Sequence, residues 1–170
     1  MTGNAVRKTI AAAAVLAAVG GVTGVAATAA SASTEPQLCK DMDVRVTATP
    51  AQDSPSGHRA VTLHYTAADA NTHCTLSGAP YGATFYNRFG SPVGVQSSVA
   101  NGGTPGQVTI DANHSASSAV LIPNSPEPGP AEVTGLRFHL PSDASNTPVG
   151  VAWPGTALSG SPQFTAISQD

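Results

Sequence analysis

The side chains of two cysteines and five histidines are the groups in this 170-residue chain best suited to redox or metal chemistry. Cys39 and Cys74 allow a single pairing, and they lack the Cys-x-x-Cys spacing that is typical of redox-active pairs. An activated Cys74 thiol beside His73 is the functional alternative, but a sulfur in a disulfide is not a nucleophile. The sequence therefore predicts a structural disulfide between Cys39 and Cys74 that closes a loop of about 35 residues.

Histidines offer a second kind of chemistry, because imidazole nitrogens bind copper and zinc well. His58, His64 and His139 could meet if neighbouring strands brought their side chains to one face of a sheet. The chain has no His-x-His or His-x-x-x-His spacing, so these ligands would have to come from distant strands. Solvated histidines and no cofactor are the leading prediction, and a histidine-based copper or zinc site is the alternative.

Aromatic residues flank the tip of a predicted hairpin at residues 87–90. Tyr86 and Phe89 stand on either side of Arg88, where an exposed ring could stack on a sugar or anchor a protein partner. These three residues are the candidate binding residues. Trp153 is predicted to be buried instead, since a lone tryptophan in a sandwich usually belongs to the core.

Motifs for hydrolytic catalysis are missing from the sequence. It contains neither Gly-x-Ser-x-Gly nor Ser-x-x-Lys, which would position a serine nucleophile. Asp41 and Asp43 share one face of an extended segment, but the adjacent Lys40 and Arg45 make this pair typical of a solvated edge. The chain is therefore predicted not to be an enzyme.

The first 32 residues have the pattern of a secretory signal peptide. Arg7 and Lys8 precede an apolar run from Ile10 to Val25, and small residues follow up to Ala32, where cleavage is expected. An uncleaved membrane anchor is the alternative, but glycines interrupt the apolar run before it reaches about 20 residues. We expect a secreted protein without stable membrane insertion, a short disordered segment at 33–38, and one domain at 39–170.

The charge of the predicted mature chain limits its partners. Cleavage leaves 138 residues with five basic and ten acidic side chains, a net charge of −5. So few cations cannot neutralise a row of phosphates, which makes nucleic acid and anionic membrane surfaces poor candidates for partners. We expect no nucleic acid partner. An unidentified extracellular or cell-wall partner is the expectation that remains.

Alternating apolar and polar residues recur between turn signals along the mature chain. Residues 42–49 and 61–66 alternate with period two around a polar loop at 51–57, which predicts an antiparallel pair. Similar short stretches follow, including a late strand at 133–140 in which Gly135 is predicted to mark a bulge. Seven to nine short strands predict an all-β fold, an immunoglobulin-like antiparallel sandwich, with a closed barrel as the alternative.

Three segments carry a more specific pattern: LHYT at 63–66, CTLSGAP at 74–80 and FYNRFGSPVG at 85–94. Together with the opening Cys39-x-x-x-Asp43-Val44 and the strand, turn and strand at 108–121, they resemble an actinobacterial secreted family called domain of unknown function 4232. Asn113-His114 stands where this family usually has Pro-Gly, and a second cysteine pair carried by many relatives is missing. The resemblance implies a secreted or envelope-associated immunoglobulin-like sandwich, and it implies no activity.

These observations favour a non-catalytic extracellular module with a binding or structural role. The alternative from another functional class is an extracellular protein that binds copper or zinc through histidines.

Overall fold

The computed structural model describes residues 37–101, 105–125, 131–141 and 145–170. The predicted signal peptide, its cleavage site and residues 33–36 lie outside the described residues. Within the described part, thirteen strands and one short 3-10 helix form the fold, and eight of the strands have four or more residues. In chain order these elements are β1 (Gln37–Leu38), η1 (Asp41–Asp43), β2 (Val44–Pro50), β3 (His58–Ala67), β4 (His73–Ser77), β5 (Tyr81–Tyr86), β6 (Pro92–Val93), β7 (Ser98–Val99), β8 (Gln107–Asp111), β9 (Ala116–Pro123), β10 (Gly135–His139), β11 (Val149–Ala152), β12 (Gln163–Phe164) and β13 (Ser168–Gln169).

The largest sheet contains the antiparallel pair predicted around the loop at 51–57. Strands β2 and β3 pair from Val44 opposite Ala67 to Pro50 opposite Val61, which confirms the prediction. The sheet continues in the order β2-β3-β9-β12-β7, and β13 also pairs with β9. Alternation along β3 places Val61, Leu63 and Tyr65 in the core, because successive side chains of a strand point to opposite faces.

A second sheet has the order β11-β10-β5-β6 and includes the predicted hairpin. Strands β5 and β6 pair antiparallel, with Phe85 opposite Val93. A third, smaller sheet has the order β1-β4-β8. Within the described ranges these sheets keep separate edges, so the fold is the predicted all-β sandwich and not a closed barrel. Most strand pairs are antiparallel, but β1 with β4 and β12 with β7 pair in parallel.

Aromatic rings from the two larger sheets meet in the core. The ring of Phe138 on β10 lies 6.5 Å from that of Tyr65 on β3 and 6.4 Å from that of Phe164 on β12. Phe85 on β5 packs edge-to-face against Trp153 at 5.3 Å. Trp153 is 6% exposed and its Nε1 donates a hydrogen bond to the Thr156 carbonyl, so the predicted burial is confirmed.

The predicted disulfide joins Cys39 to Cys74, and both residues are buried. The Cys39 amide also donates a hydrogen bond to the Thr75 carbonyl, 3.0 Å away. Immediately before Cys39, residues 37–38 form β1, which pairs in parallel with β4. The expectation that these two residues belong to a disordered segment is therefore wrong, because their backbone groups are held by the sheet.

The bulge in the late strand pair is not at Gly135. The pairing of β10 with β5 is regular from Gly135 to Arg137 and shifts between Arg137 and His139. The extra residue belongs to β5, where Gly82 has a φ of +62°. A Cβ at Gly82 would lie 2.9 Å from the His139 ring, so only glycine fits the bulge without a shift of that ring.

None of the helical segments in the described ranges is both long enough and apolar enough to cross a membrane.

Replacing both cysteines with alanine is expected to lower the free energy of unfolding by about 4 kcal/mol, since the disulfide closes a loop of about 35 residues in the unfolded chain. Urea unfolding of the oxidised protein, the reduced protein and the double variant measures this difference. The reduced protein and the double variant should both unfold at lower urea concentrations. Equal stability of the oxidised and reduced proteins would contradict this role.

The buried Tyr65 hydroxyl shares a hydrogen bond of 2.9 Å with the Ser118 hydroxyl. Burial raises the pKa of Tyr65 well above its usual value of about 10, and the hydrogen bond to Ser118 offsets part of this shift. Above about pH 10 the tyrosine of the unfolded chain loses this proton, whereas the folded chain keeps it. Ionisation therefore stabilises the unfolded state relative to the folded state.

We therefore expect the free energy of unfolding to fall above about pH 10, with Tyr65 contributing up to about 1.4 kcal/mol per pH unit. Chemical denaturation at a series of alkaline pH values measures the slope. Tyr65→Phe should remove this contribution, while the control Tyr81→Phe, at an exposed position, should retain it. Identical slopes in the wild type and Tyr65→Phe would count against the assignment.

Candidate functional site

A cleft of about 430 Å³ lies on the outer face of the β11-β10-β5 region. Its position follows from the alternation of β10, where Leu136 and Phe138 point into the core and Arg137 points outward and is exposed. Arg137 lies opposite Gly150 on β11 and opposite Thr84 on β5. The cationic side chain of Arg137 therefore lies between two small residues, Gly150 and Thr84, on the outer face of the sheet.

Two glycines form the floor of this cleft. Gly150 lies beside Arg137, and Gly135 is paired with Tyr86. A Cβ built on either glycine would meet its nearest atom at 3.9 Å, an ordinary van der Waals contact, so both positions accept a side chain. Neither glycine has a positive φ that would require glycine there.

Tyr86 forms one wall of the cleft and holds Arg137 in place. The Arg137 guanidinium lies over the Tyr86 ring, with 5.4 Å between Cζ and the ring centroid. This cation–π contact occupies one face of the ring and orients the guanidinium. The Tyr86 carbonyl also accepts the Thr134 amide at 2.9 Å, which ties the wall to the segment before β10.

The tip of the β5–β6 hairpin completes the cleft. The Gly90 amide donates to the Asn87 carbonyl at 2.9 Å, and the Asn87 side-chain oxygen accepts the amides of Phe89 and Ser91. Gly90 has a φ of +73°, a conformation that glycine adopts without steric cost. This closed turn leaves Arg88 and Phe89 as its two central residues.

Arg88 and Phe89 contact each other at this tip. The Arg88 guanidinium lies over the Phe89 ring at 4.8 Å, and Phe89 is 77% exposed. Arg88 also lines the cleft, and together with Phe89 and Glu132 it lines an adjoining depression. The cleft and the ring are thus neighbouring parts of one surface, which we call the arginine cleft (Tyr86, Arg88, Phe89, Gly135, Arg137, Gly150).

The charged side chains that line the 430 Å³ depression of the arginine cleft are cations, and Glu132 lies in the adjoining depression that Arg88 shares. None of the described residues that line the 430 Å³ depression is acidic. In the same part of the chain, the described salt bridges involve neither Arg88 nor Arg137. Both guanidinium groups are therefore available to an anion from outside the protein.

The structure brings together the three binding residues predicted from sequence, Tyr86, Arg88 and Phe89. Sequence reasoning missed Arg137 and the two floor glycines, because their proximity depends on the order β11-β10-β5. A local signal for Arg137 was present, since it is the outward residue between the apolar Leu136 and Phe138.

The three histidines of the metal hypothesis do not converge. His58 and His64 stand six residues apart on β3, which corresponds to about 20 Å along a strand. His139 belongs to β10, which pairs with β11 and β5 and not with β3 or its neighbours. Outward residues of the two packed sheets point away from each other, so the structure does not bring together the three imidazoles of the alternative hypothesis.

Each of these histidines has a local contact instead. His64 Nε2 lies 3.1 Å from the Thr49 hydroxyl, and His58 Nδ1 lies 3.2 Å from the Ser56 carbonyl. His139 stacks on Tyr81 with 5.2 Å between ring centroids. Among the described residues, no group of three or more His, Cys, Asp or Glu side chains is arranged to hold a metal ion.

A second polar cluster lies at the end of β8 and was not predicted. Asp111 contacts the Nδ1 atoms of His114, at 2.8 Å, and His73, at 3.6 Å. The β4–β8 pairing brings His73 opposite Asp111, and a tight turn brings His114 back to it. The Asn113 amide and then the His114 side chain are the main hydrogen-bond donors that lower the pKa of Asp111.

The contact between Asp111 and His114 resembles the Asp–His pair of a catalytic triad, in which the carboxylate orients the imidazole. A triad also needs a nucleophile beside the histidine. The adjacent Ser115 hydroxyl donates to the Asp170 carboxylate at 2.6 Å, and so is engaged elsewhere. Cys74 is bound to Cys39, so the thiol chemistry considered for Cys74 beside His73 is excluded. The cluster closes the turn after β8 and links it to β4.

Comparison with known proteins finds a similarity at the level of a sequence family. No curated protein matches the chain, and no solved structure does either. One family model matches residues 39–167, a span that runs from the first cysteine of the disulfide almost to the end of the chain. The chain belongs to the family described as Domain of unknown function (DUF4232).

Proposed function

We propose that the protein is exported and that its domain is a non-catalytic binding module of the extracellular or cell-envelope space. The signal-peptide pattern of residues 1–32 supports export. A disulfide between the only two cysteines also supports it, since such bonds persist in oxidising compartments.

The arginine cleft is the proposed ligand site. The observation that carries this assignment is a pair of guanidinium groups, on Arg88 and Arg137, that line one glycine-floored cleft without an acidic partner in the described structure. Two like charges close together repel each other, and a solvated charge without a partner contributes little to stability. The placement of Arg88 and Arg137 together is therefore not explained by stability, which favours a role in binding.

The hydrogen-bond partners of the polar side chains also favour a binding role over a catalytic one. The Asp111–His114 pair is the arrangement most similar to a catalytic device, and the neighbouring Ser115 hydroxyl points to Asp170. The arginine cleft combines permanent cations, an aromatic wall and backbone, which suits recognition without proton transfer.

Binding to the cell envelope tests this proposal. The full chain is expressed in an exporting host, recovered from the medium, and sedimented with purified cell-wall material of the source organism. We expect the wild type to co-sediment, and Arg137→Ala and Gly150→Val to reduce the bound fraction about tenfold, because one removes a cation and the other fills the cleft.

Lys40→Ala is the matched control, since it removes an exposed cation outside the cleft and should leave binding unchanged. Urea unfolding of each variant verifies that its fold is intact, and Gly150→Val should be at least as stable as the wild type, because valine favours strands. Equal loss of binding in Lys40→Ala, or none in the two cleft variants, would refute the assignment of the site.

A further inference from the structure

The arginine cleft contrasts in charge with the rest of the domain. The described residues include five Lys or Arg and seven Asp or Glu side chains. Two of the five cations line the 430 Å³ depression of the cleft and none of the seven described acids does, while Glu132 lines the adjoining depression with Arg88 and Phe89. An anionic ligand would gain from this local excess of positive charge, even though the protein as a whole is acidic.

Both guanidinium groups are oriented before any ligand arrives. Arg137 rests on the Tyr86 ring and Arg88 on the Phe89 ring, so each planar group has one face covered and its N–H edges free. Among the described residues, neither guanidinium donates a hydrogen bond to a protein acceptor. A carboxylate or phosphate accepts two parallel N–H bonds from such a group, and the prior ordering reduces the entropy lost on binding.

The remaining surface favours a saccharide over a protein or a nucleic acid. Protein interfaces need a contiguous apolar centre, and Phe89 is the single large exposed apolar residue of the described cleft surface. Phe89 is the one large exposed ring on the described cleft surface, whereas single-stranded nucleic acid is bound by a series of rings on which successive bases stack. A depression of about 430 Å³ with a polar backbone floor and an exposed ring suits one or two sugar rings.

We infer that the arginine cleft binds an acidic saccharide, with Arg88 and Arg137 pairing with its carboxylate or phosphate oxygens and Phe89 stacking on a sugar ring. This inference rests on the proposed function and specifies its ligand. Carboxylate and phosphodiester groups share the required chemistry, and they occur in different cell-envelope polymers.

Calorimetric titration with three defined polymers tests the inference on the protein recovered from the medium. Polygalacturonate carries carboxylates, poly(glycerol phosphate) carries phosphodiesters, and dextran is neutral. We expect binding to at least one acidic polymer and none to dextran. Binding to only one acidic polymer identifies which oxyanion the cleft accepts.

Three variants assign the binding to individual residues. Arg88→Gln and Arg137→Gln should each weaken binding about ten- to a hundredfold, because each removes a charge-assisted hydrogen-bond pair. Each should also reduce the salt dependence of the affinity. Phe89→Ala should weaken binding without changing the salt dependence, and Lys40→Gln serves as the control that leaves both unchanged.

The outcomes separate this inference from the proposed function. Binding to dextran as strong as to the acidic polymers overturns the inference and leaves a neutral-glycan site in the same cleft. Failure to bind either acidic polymer, with cleft-dependent sedimentation retained, also overturns the inference alone. Binding to an acidic polymer that Arg88→Gln, Arg137→Gln and Gly150→Val leave unchanged overturns both, because the cleft is then not the site.

Discussion

Phe138 lies between the rings of Tyr65 and Phe164, and this contact determines which face of β10 points into the core. The side chains of a strand alternate, so a slip of one residue would move Phe138 to the surface and bury Arg137. Burying an unpaired guanidinium costs far more than exposing it, so the aromatic contact also fixes the outward direction of Arg137. The candidate site therefore depends on the core directly beneath it.

The disulfide and the candidate site lie on different sheets. Cys39 and Cys74 hold the start of the domain against the small β1-β4-β8 sheet. The Asp111 cluster strengthens the same region by joining β4 to the turn after β8. The β11-β10-β5 sheet has no such cross-link among its described residues, and it includes two glycines, Gly135 and Gly150, which have low strand propensity.

Features that depend on local sequence could be predicted, and features that depend on strand order could not. Period-two alternation predicted the β2–β3 pair, the Asn87–Gly90 tip predicted a hairpin, and the cysteine count predicted the disulfide. Each of these signals lies within a short segment or allows one solution.

The order β11-β10-β5 places β5 (Tyr81–Tyr86) beside β10 (Gly135–His139), a strand far along the chain, and no local pattern specifies this pairing. For that reason Arg137 was missed as the partner of Tyr86, and His64 and His139 were considered neighbours although they belong to different sheets. The bulge was assigned to Gly135 because glycine in a strand is a common sign of one, but the shift is accommodated at Gly82, which faces His139. Asp111 and His73 lie close together because β4 pairs with β8, and this pairing was likewise not evident from local sequence.

The choice of guanidinium groups over imidazoles has a consequence for where such a domain can work. Arginine keeps its proton up to about pH 12, whereas a histidine changes its charge near pH 6.5. The electrostatic attraction of the Arg88 and Arg137 pair therefore does not vary with the acidity of the surroundings. If the cleft binds a ligand as proposed, its own charge would therefore be the same in acidic and in mildly alkaline surroundings.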